Sequence, residues 1–166
     1  MESVKALLER GILSPDQKTM VDGFCKRWNC SGFEALIETH MVQEVQFADH
    51  AAEILGLPRL RNLKQRKLLS NPGQLIPLPF ARRKMAIVVD VIDPGPATLN
   101  QRRVFKVAVA NPWDPHMINS LEEMLDGDIE YAVADRSDIL DAIDRNYPFS
   151  DFVPEFWRSM CSVTAD

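Results

Sequence analysis

The sequence predicts an α+β fold: a front part built of short helices, followed by a small three-stranded sheet with helices on one face. Three observations carry this expectation. As far as Leu55 the apolar residues recur three and four apart, the spacing of helices with one buried side. Met85-Ala-Ile-Val-Val-Asp-Val-Ile92 is instead a nearly unbroken β-branched run, and Val104–Val109 alternates, with Phe105, Val107 and Val109 to one side and Val104, Lys106 and Ala108 to the other. Between such segments stand Ser70-Asn-Pro-Gly73, Asp93-Pro-Gly-Pro96 and Asn111-Pro112, all of them turn chemistry.

In chain order, Val4, Leu7 and Leu8 predict a short amphipathic helix that stops at Gly11. Ser14 then caps a second helix with Pro15 at its first position and Met20, Val21 and Phe24 turned inward. Gly32 precedes a third helix carrying Phe33, Leu36 and Ile37. A fourth is marked by Val42, Val45, Ala48, Ala52 and Leu55 and ended by Gly56-Leu57-Pro58. The front part thus reads as two copies of a unit of short helix, turn and longer helix. Leu75–Lys84 leads into the run 85–92, whose lack of polar relief predicts a strand covered on both faces. A polar loop then returns the chain as an antiparallel hairpin into 104–109. Asp114 and Pro115 open a helix with Met117, Ile118, Leu121, Met124 and Leu125 along one side, and Gly127 ends it. Ile129–Ala134 supplies the third strand, and Asp135 or Ser137 caps a last helix holding Ile139, Leu140 and Ile143. The expected organisation is a helical subdomain over 1–70, a sheet subdomain over 71–148 and an aromatic tail over 149–166.

The 166 residues suffice for one sizeable domain or two small ones sharing a core. With 46% hydrophobic and 26% charged residues the composition is that of a globular protein, which excludes a long disordered chain. A net charge of -5 speaks against a general nucleic-acid binder, because such affinity comes from neutralised phosphates. No apolar run is long enough for a membrane span, and Met1-Glu-Ser-Val-Lys lacks the order of a signal peptide, so a cytoplasmic placement is expected. Cys25, Cys30 and Cys161 are read as reduced, partly buried thiols, their spacing being unlike a zinc site.

Val107-Ala-Val-Ala-Asn-Pro-Trp-Asp114, Ile129-Glu-Tyr-Ala-Val-Ala-Asp135 and Asp138–Tyr147 together resemble the N-terminal domain of the assembly ATPases of type II secretion and type IV pilus machines. The Ile-Pro then Ala-Arg-Arg sequence within 75–84 is similar to the same family. The resemblance implies a bacterial adaptor domain that docks a protein partner of a secretion, pilus or envelope machine. It also implies a possible ligand, since several relatives bind cyclic di-GMP through two tandem copies of a pattern: Arg-Leu-Gly opening a helix, a later glycine, and a closing Gln. Here the first copy keeps Leu7 and Gly11 but has Glu2-Ser3-Val4 at its opening and Cys25 at its close. The second keeps Leu36, with Ser31-Gly32-Phe33 at the opening, His40 for the glycine and Ile54 near the closing Gln. Both arginines are absent, and with them the bidentate recognition of guanine or phosphate.

Two functional readings follow. In the first the chain is a non-catalytic interaction module with no cofactor. In the second it is a cyclic di-GMP receptor that uses Leu7, Gly11 and Leu36 with Arg10, Arg59 and Arg61 replacing the lost arginines. The basic stretch Arg59–Lys67 is either a solvated connector or an anion patch of Lys64, Arg66 and Lys67. The tail aromatics Phe152, Phe156 and Trp157 either fold back on the domain or anchor a partner. No phosphate loop with a following Lys-Ser or Lys-Thr occurs, His40, His50 and His116 are scattered, and Ser and Cys lie outside any nucleophile pattern, so an enzyme is not expected.

Overall fold

Two serines begin two helices by the same chemistry. In a computed structural model of the chain, which describes residues 2–66, 68–69, 72–95 and 102–147, the Ser14 hydroxyl accepts the Gln17 amide at 3.2 Å while the Gln17 side chain accepts the Ser14 amide at 2.9 Å. Ser31 and Glu34 repeat the exchange at 3.2 and 2.7 Å. Such reciprocal caps satisfy amides that a helix start leaves unpaired. They place α2 at Pro15–Trp28 and α3 at Gly32–Glu38, with α1 at Glu2–Glu9 before them and α4 at Glu44–Leu55 after.

The α1–α2 and α3–α4 corners are built alike. Ile12 and Leu13 donate to the Leu7 carbonyl at 3.0 and 3.4 Å, and at one constant sequence offset Met41 and Val42 donate to that of Leu36 at 3.2 and 3.4 Å. The pivot of the first corner is Gly11 at φ 69°, and that of the second is His40 at φ 54°. A left-handed residue other than glycine costs roughly 1–2 kcal/mol, so the second corner keeps the glycine's backbone conformation without the glycine.

Two short 3₁₀ turns, Leu63–Gln65 and Pro72–Gln74, lead to α5 at Leu78–Lys84. The strands are β1 (Ala86–Ile92), β2 (Val104–Val109) and β3 (Asp128–Val133), in that spatial order. β1 pairs antiparallel with β2 as the hairpin reading expects, and β3 lies parallel to β2 after α6 (Pro115–Met124). The last helix, α7, spans Arg136–Asn146.

The expectation that β1 is covered along its whole length is corrected. Ala86, Ile87 and Val88 are buried in succession, but from Val89 onward exposed and half-buried residues alternate. The register shifts between Val88 and Asp90, and the bulge turns the outer half of the strand away from the packed layers. Two helical stripes also differ from the expected ones. On α4 the buried residues are Phe47, Ala48, Ala51 and Ala52 while Val45 and Leu55 are exposed; on α2 Val21 is buried and Met20 faces out. Small alanines let α4 approach its neighbours closely, and close approach decides which side of it turns inward.

Buried residues of the helical part and of the sheet form one continuous cluster. An aromatic chain joins them: Phe33 meets Phe47 at 4.9 Å between ring centroids, and Phe47 meets Trp113 of the β2–α6 turn at 5.8 Å, both edge to face. At that turn the Asp114 carboxylate accepts the His116 and Met117 amides at 3.0 and 3.2 Å and pairs with Lys84 of α5 at 2.8 Å. Burial alone would raise this carboxyl, but the Lys84 ammonium and the two amides outweigh it and hold it below its usual value. Ser70, Lys67 and the tail 149–166, with Phe152, Phe156, Trp157 and Cys161, lie outside the described residues.

Two outcomes test this packing. A Cβ on Gly127 would stand 2.3 Å from the Arg103 carbonyl oxygen and 2.8 Å from a Phe105 ring carbon, so Gly127→Ala should lower the free energy of urea unfolding by about 1–3 kcal/mol; an unchanged midpoint contradicts the close approach. The depressed Asp114 carboxyl contributes stability above the unfolded carboxylate pKa of about 3.9, and that contribution disappears as pH falls through the lower folded value. Asp114→Asn should therefore reduce stability at neutral pH and flatten the acid limb of a stability-against-pH curve.

Candidate functional site

At the two repeat openings, where the receptor reading places its ligand, the leading residues Glu2 and Ser31 are exposed while the residues that follow them turn into the core. Val4, Leu7 and Leu36 are fully buried, as are Ser3 and Phe33 almost completely. Arg10 lies at the outer end of the first corner and pairs with Glu53 of α4 at 3.5 Å, both side chains well exposed. Gly11 forms the pivot between α1 and α2. These positions therefore come together around the helical corners, with the leucines serving as packing.

Arg59 and Arg61 lie elsewhere. After Gly56 stops α4 in a left-handed turn, Pro58–Leu60 runs beside β3: the Leu60 amide donates to the Val133 carbonyl and the Val133 amide to the Pro58 carbonyl, both at 2.8 Å. This short parallel bridge brings the Arg59 side chain into the seam between α4, β3 and the start of α7. Its Nε donates to Asp49 Oδ1 at 2.8 Å, Nη2 to Asp135 Oδ1 at 2.6 Å, and Nη1 to the carbonyl oxygens of Leu60 at 2.5 Å and Val133 at 3.4 Å. Only 13% of the side chain is exposed. Arg61 completes the cluster from outside, donating to both oxygens of Asp49 at 2.8 and 2.9 Å.

The two carboxylates respond differently to the same guanidinium. Burial pushes the Asp135 carboxyl up; Arg59 opposes this, and Asp138 and Glu44 reinforce it. Burial also acts on Asp49, but there Arg59 and Arg61 together prevail and hold the carboxyl low. The difference follows from exposure, 14% for the Asp135 side chain against 40% for Asp49, and from the second arginine.

Sequence reasoning assigned Asp135 or Ser137 to cap α7. Asp135 is the N-cap residue, yet its side chain makes no cap bond because it is turned to Arg59. The Ser137 amide is met instead by the Glu44 carboxylate of α4 at 3.0 Å, and Arg136 reaches Glu38 of α3 at 2.8 Å. Asp49, Asp135, Glu44, Glu38 and Arg136 are the residues the sequence reading missed. Each finds its partner at long sequence range or from the next element, where no spacing rule applies.

The remaining basic residues divide. Lys64 pairs with Asp141 of α7 at 2.6 Å, and Arg145 donates to the Lys64 carbonyl at 2.7 Å. Arg66 lines an open cavity of about 520 Å³ over the uncovered end of the sheet, together with Leu68, Lys106 and Tyr131. There Asp90, Lys106 and Glu130 stand in one row across the three strands. On α2, Met20 (63% exposed), the half-buried Phe24 and Trp28 (64% exposed) follow one another four apart, and the Arg27 guanidinium lies 6.0 Å from the Trp28 ring. Among the described residues no three His, Cys, Asp or Glu side chains gather as metal ligands, and no helix is long and apolar enough to cross a membrane.

Comparison with known proteins gives three findings. The MshEN domain profile matches residues 55–152, from the end of α4 through Arg59 and the sheet. No curated protein matches. Among solved structures, the N-terminal domain of XpsE is 25% identical with a TM-score of 0.66, over 88% of this chain and 94% of that one; another crystal form of it gives 24% and 0.56, over 87% and 93%. MshE with cdg (cyclic di-GMP) is 23% identical with a TM-score of 0.63, over 87% of this chain and 98% of that one. The likeness to the last two is one of fold.

An Arg59→Ala substitution leaves Asp135 buried without its cation, and should destabilise the chain by about 3–5 kcal/mol. Arg59→Lys should restore only part of this, since an ammonium does not fork between two carboxylates. Equal stabilities of the three proteins in urea would contradict the assignment.

Proposed function

The chain belongs to the MshEN domain family, and on that footing we propose that it is a non-catalytic regulatory and docking module of a type II secretion or type IV pilus machine, working on the cytoplasmic side through contact with a protein partner. The observation that carries the reading is the state of the helical repeats. Their corners keep the same backbone bonds and the same left-handed pivots, while the openings carry Glu2-Ser3-Val4 and Ser31-Gly32-Phe33 in place of arginines. A cyclic dinucleotide offers phosphates and guanine edges, which call for forked, charged donors. Arg59 and Arg61 have theirs engaged by Asp49 and Asp135, and Arg10 faces Glu53. The scaffold has stayed and its grip on an anion has gone.

Partner contact is supported by Met20 and Trp28, exposed on α2 to either side of the half-buried Phe24, since large apolar side chains gathered at the surface are what docking surfaces are made of. Phe152, Phe156 and Trp157 of the tail are proposed as a second anchor on their composition alone, and Lys64, Arg66 and Lys67 as a weaker patch for an acidic surface. The chain carries no phosphate loop of its own, so nucleotide hydrolysis is not assigned to it.

Calorimetric titration of the chain with cyclic di-GMP separates this reading from the receptor one. No saturable heat is expected up to about 100 μM ligand. Micromolar or tighter binding that disappears in Arg10→Ala or Arg61→Ala would overturn the docking-module reading in favour of a second-messenger receptor.

A further inference from the structure

α2 ends in a left-handed residue, Asn29 at φ 50°, whose amide donates to the Cys25 carbonyl. The next amide, that of Cys30, donates to the same carbonyl at 3.4 Å. When a helix ends this way, the side chains at the two ends of the closing bond meet over the last turn. Here both are cysteines. The backbones of residues 30 and 25 are thus direct hydrogen-bonded neighbours, the kind of closeness that a disulfide, with its Cα atoms about 4.4–6.8 Å apart, requires. Both thiols are free and half-buried, which leaves them within reach of a small oxidant. Burial pushes the Cys25 thiol up, and the Cys30 sulfur, hydrogen-bonded to it, pushes the same way.

We propose that Cys25 and Cys30 form a reversible oxidation site for peroxides, closing a disulfide across the turn that joins the two helical repeats. The Cys30 thiolate attacks one oxygen of the peroxide; the O–O bond breaks, the second oxygen leaves as hydroxide, takes a proton to become water, and Cys30 becomes a sulfenic acid. The Cys25 sulfur then attacks the Cys30 sulfur. The S–O bond breaks, water leaves with the Cys25 proton, and the S–S bond forms. The dithiol loses two electrons to the peroxide and two waters are released. A cellular dithiol returns the pair to the reduced state by thiol–disulfide exchange. In a cytoplasmic protein a pair of this kind acts as a sensor and not as a permanent staple. Ser31, the cap of α3, follows Cys30 directly, so the bond would form where the second repeat begins.

The test exposes the full chain to hydrogen peroxide, counts free thiols and maps disulfides by mass spectrometry without reduction. The expected result is a fall from three free thiols per chain to one, an intramolecular Cys25–Cys30 link, and full recovery with dithiothreitol. Cys161→Ser should form the same link at the same rate. Cys25→Ser should instead leave a sulfenic acid on Cys30 that dimedone traps. A link from Cys161 to either partner, disulfide-bonded dimers without the internal link, or three free thiols after the peroxide has oxidised a reference dithiol each overturns the proposal.

Discussion

One guanidinium fixes how the two parts of this chain meet. Arg59 stands where the end of α4 passes the edge of β3, and its donors reach a carboxylate of α4, a carboxylate at the head of α7 and the carbonyl of the strand between them. Each of those groups lies on a different element; the Asp135 side chain is only 14% exposed and depends on the guanidinium, while Asp49, at 40%, keeps some access to water. Replacing such a cluster by apolar side chains can leave stability unchanged, but removing one member leaves its partners charged and unpaired. The cluster therefore specifies an arrangement more than it adds to stability. The Glu44 carboxylate on the Ser137 amide and the Arg136–Glu38 pair extend the same specification along the seam, and the Phe33, Phe47 and Trp113 rings fill its apolar side.

That arrangement bears on function. The Arg59 donors and the Glu44 carboxylate tie α4, which closes the second helical corner, to the head of α7. The repeats fold with no arginine at either opening, and His40 takes the left-handed backbone conformation that Gly11 takes in the first corner. The surface left outside this body includes the exposed Met20 and Trp28 on α2 and the open cavity over the sheet.

Much of the fold was legible because local chemistry decides it. Ser14 and Asp114 begin helices as their side chains dictate, whereas the third helix was expected after Gly32 and in fact starts at Gly32 with Ser31 as its cap; the alternation of 104–109 produces β2. The resemblance seen in Asn111-Pro-Trp-Asp114 and the segments after it agrees with the profile match over 55–152. Legibility ended where partners come from afar. The basic stretch beginning at Arg59 looked like solvated surface or an anion patch, because nothing near it in sequence announces Asp135, 76 residues away. The inward side of α4 was read only in part: Ala48 and Ala52 are buried as expected, but they are joined by Phe47 and Ala51, while the more apolar Val45 and Leu55 are exposed. The bulge in β1 left no mark in a run of β-branched residues.

The central claim is that helices and sheet are one cooperative body held through the Arg59 seam. Native-state hydrogen exchange on the whole chain addresses it most directly, followed at the amides of Leu60 and Val133 in the seam and of Ala35 in α3. The account predicts that all three exchange only through global unfolding, with a common free energy of opening. Exchange of Ala35 or Leu60 through a separate opening of lower free energy, with the sheet still protected, would contradict it.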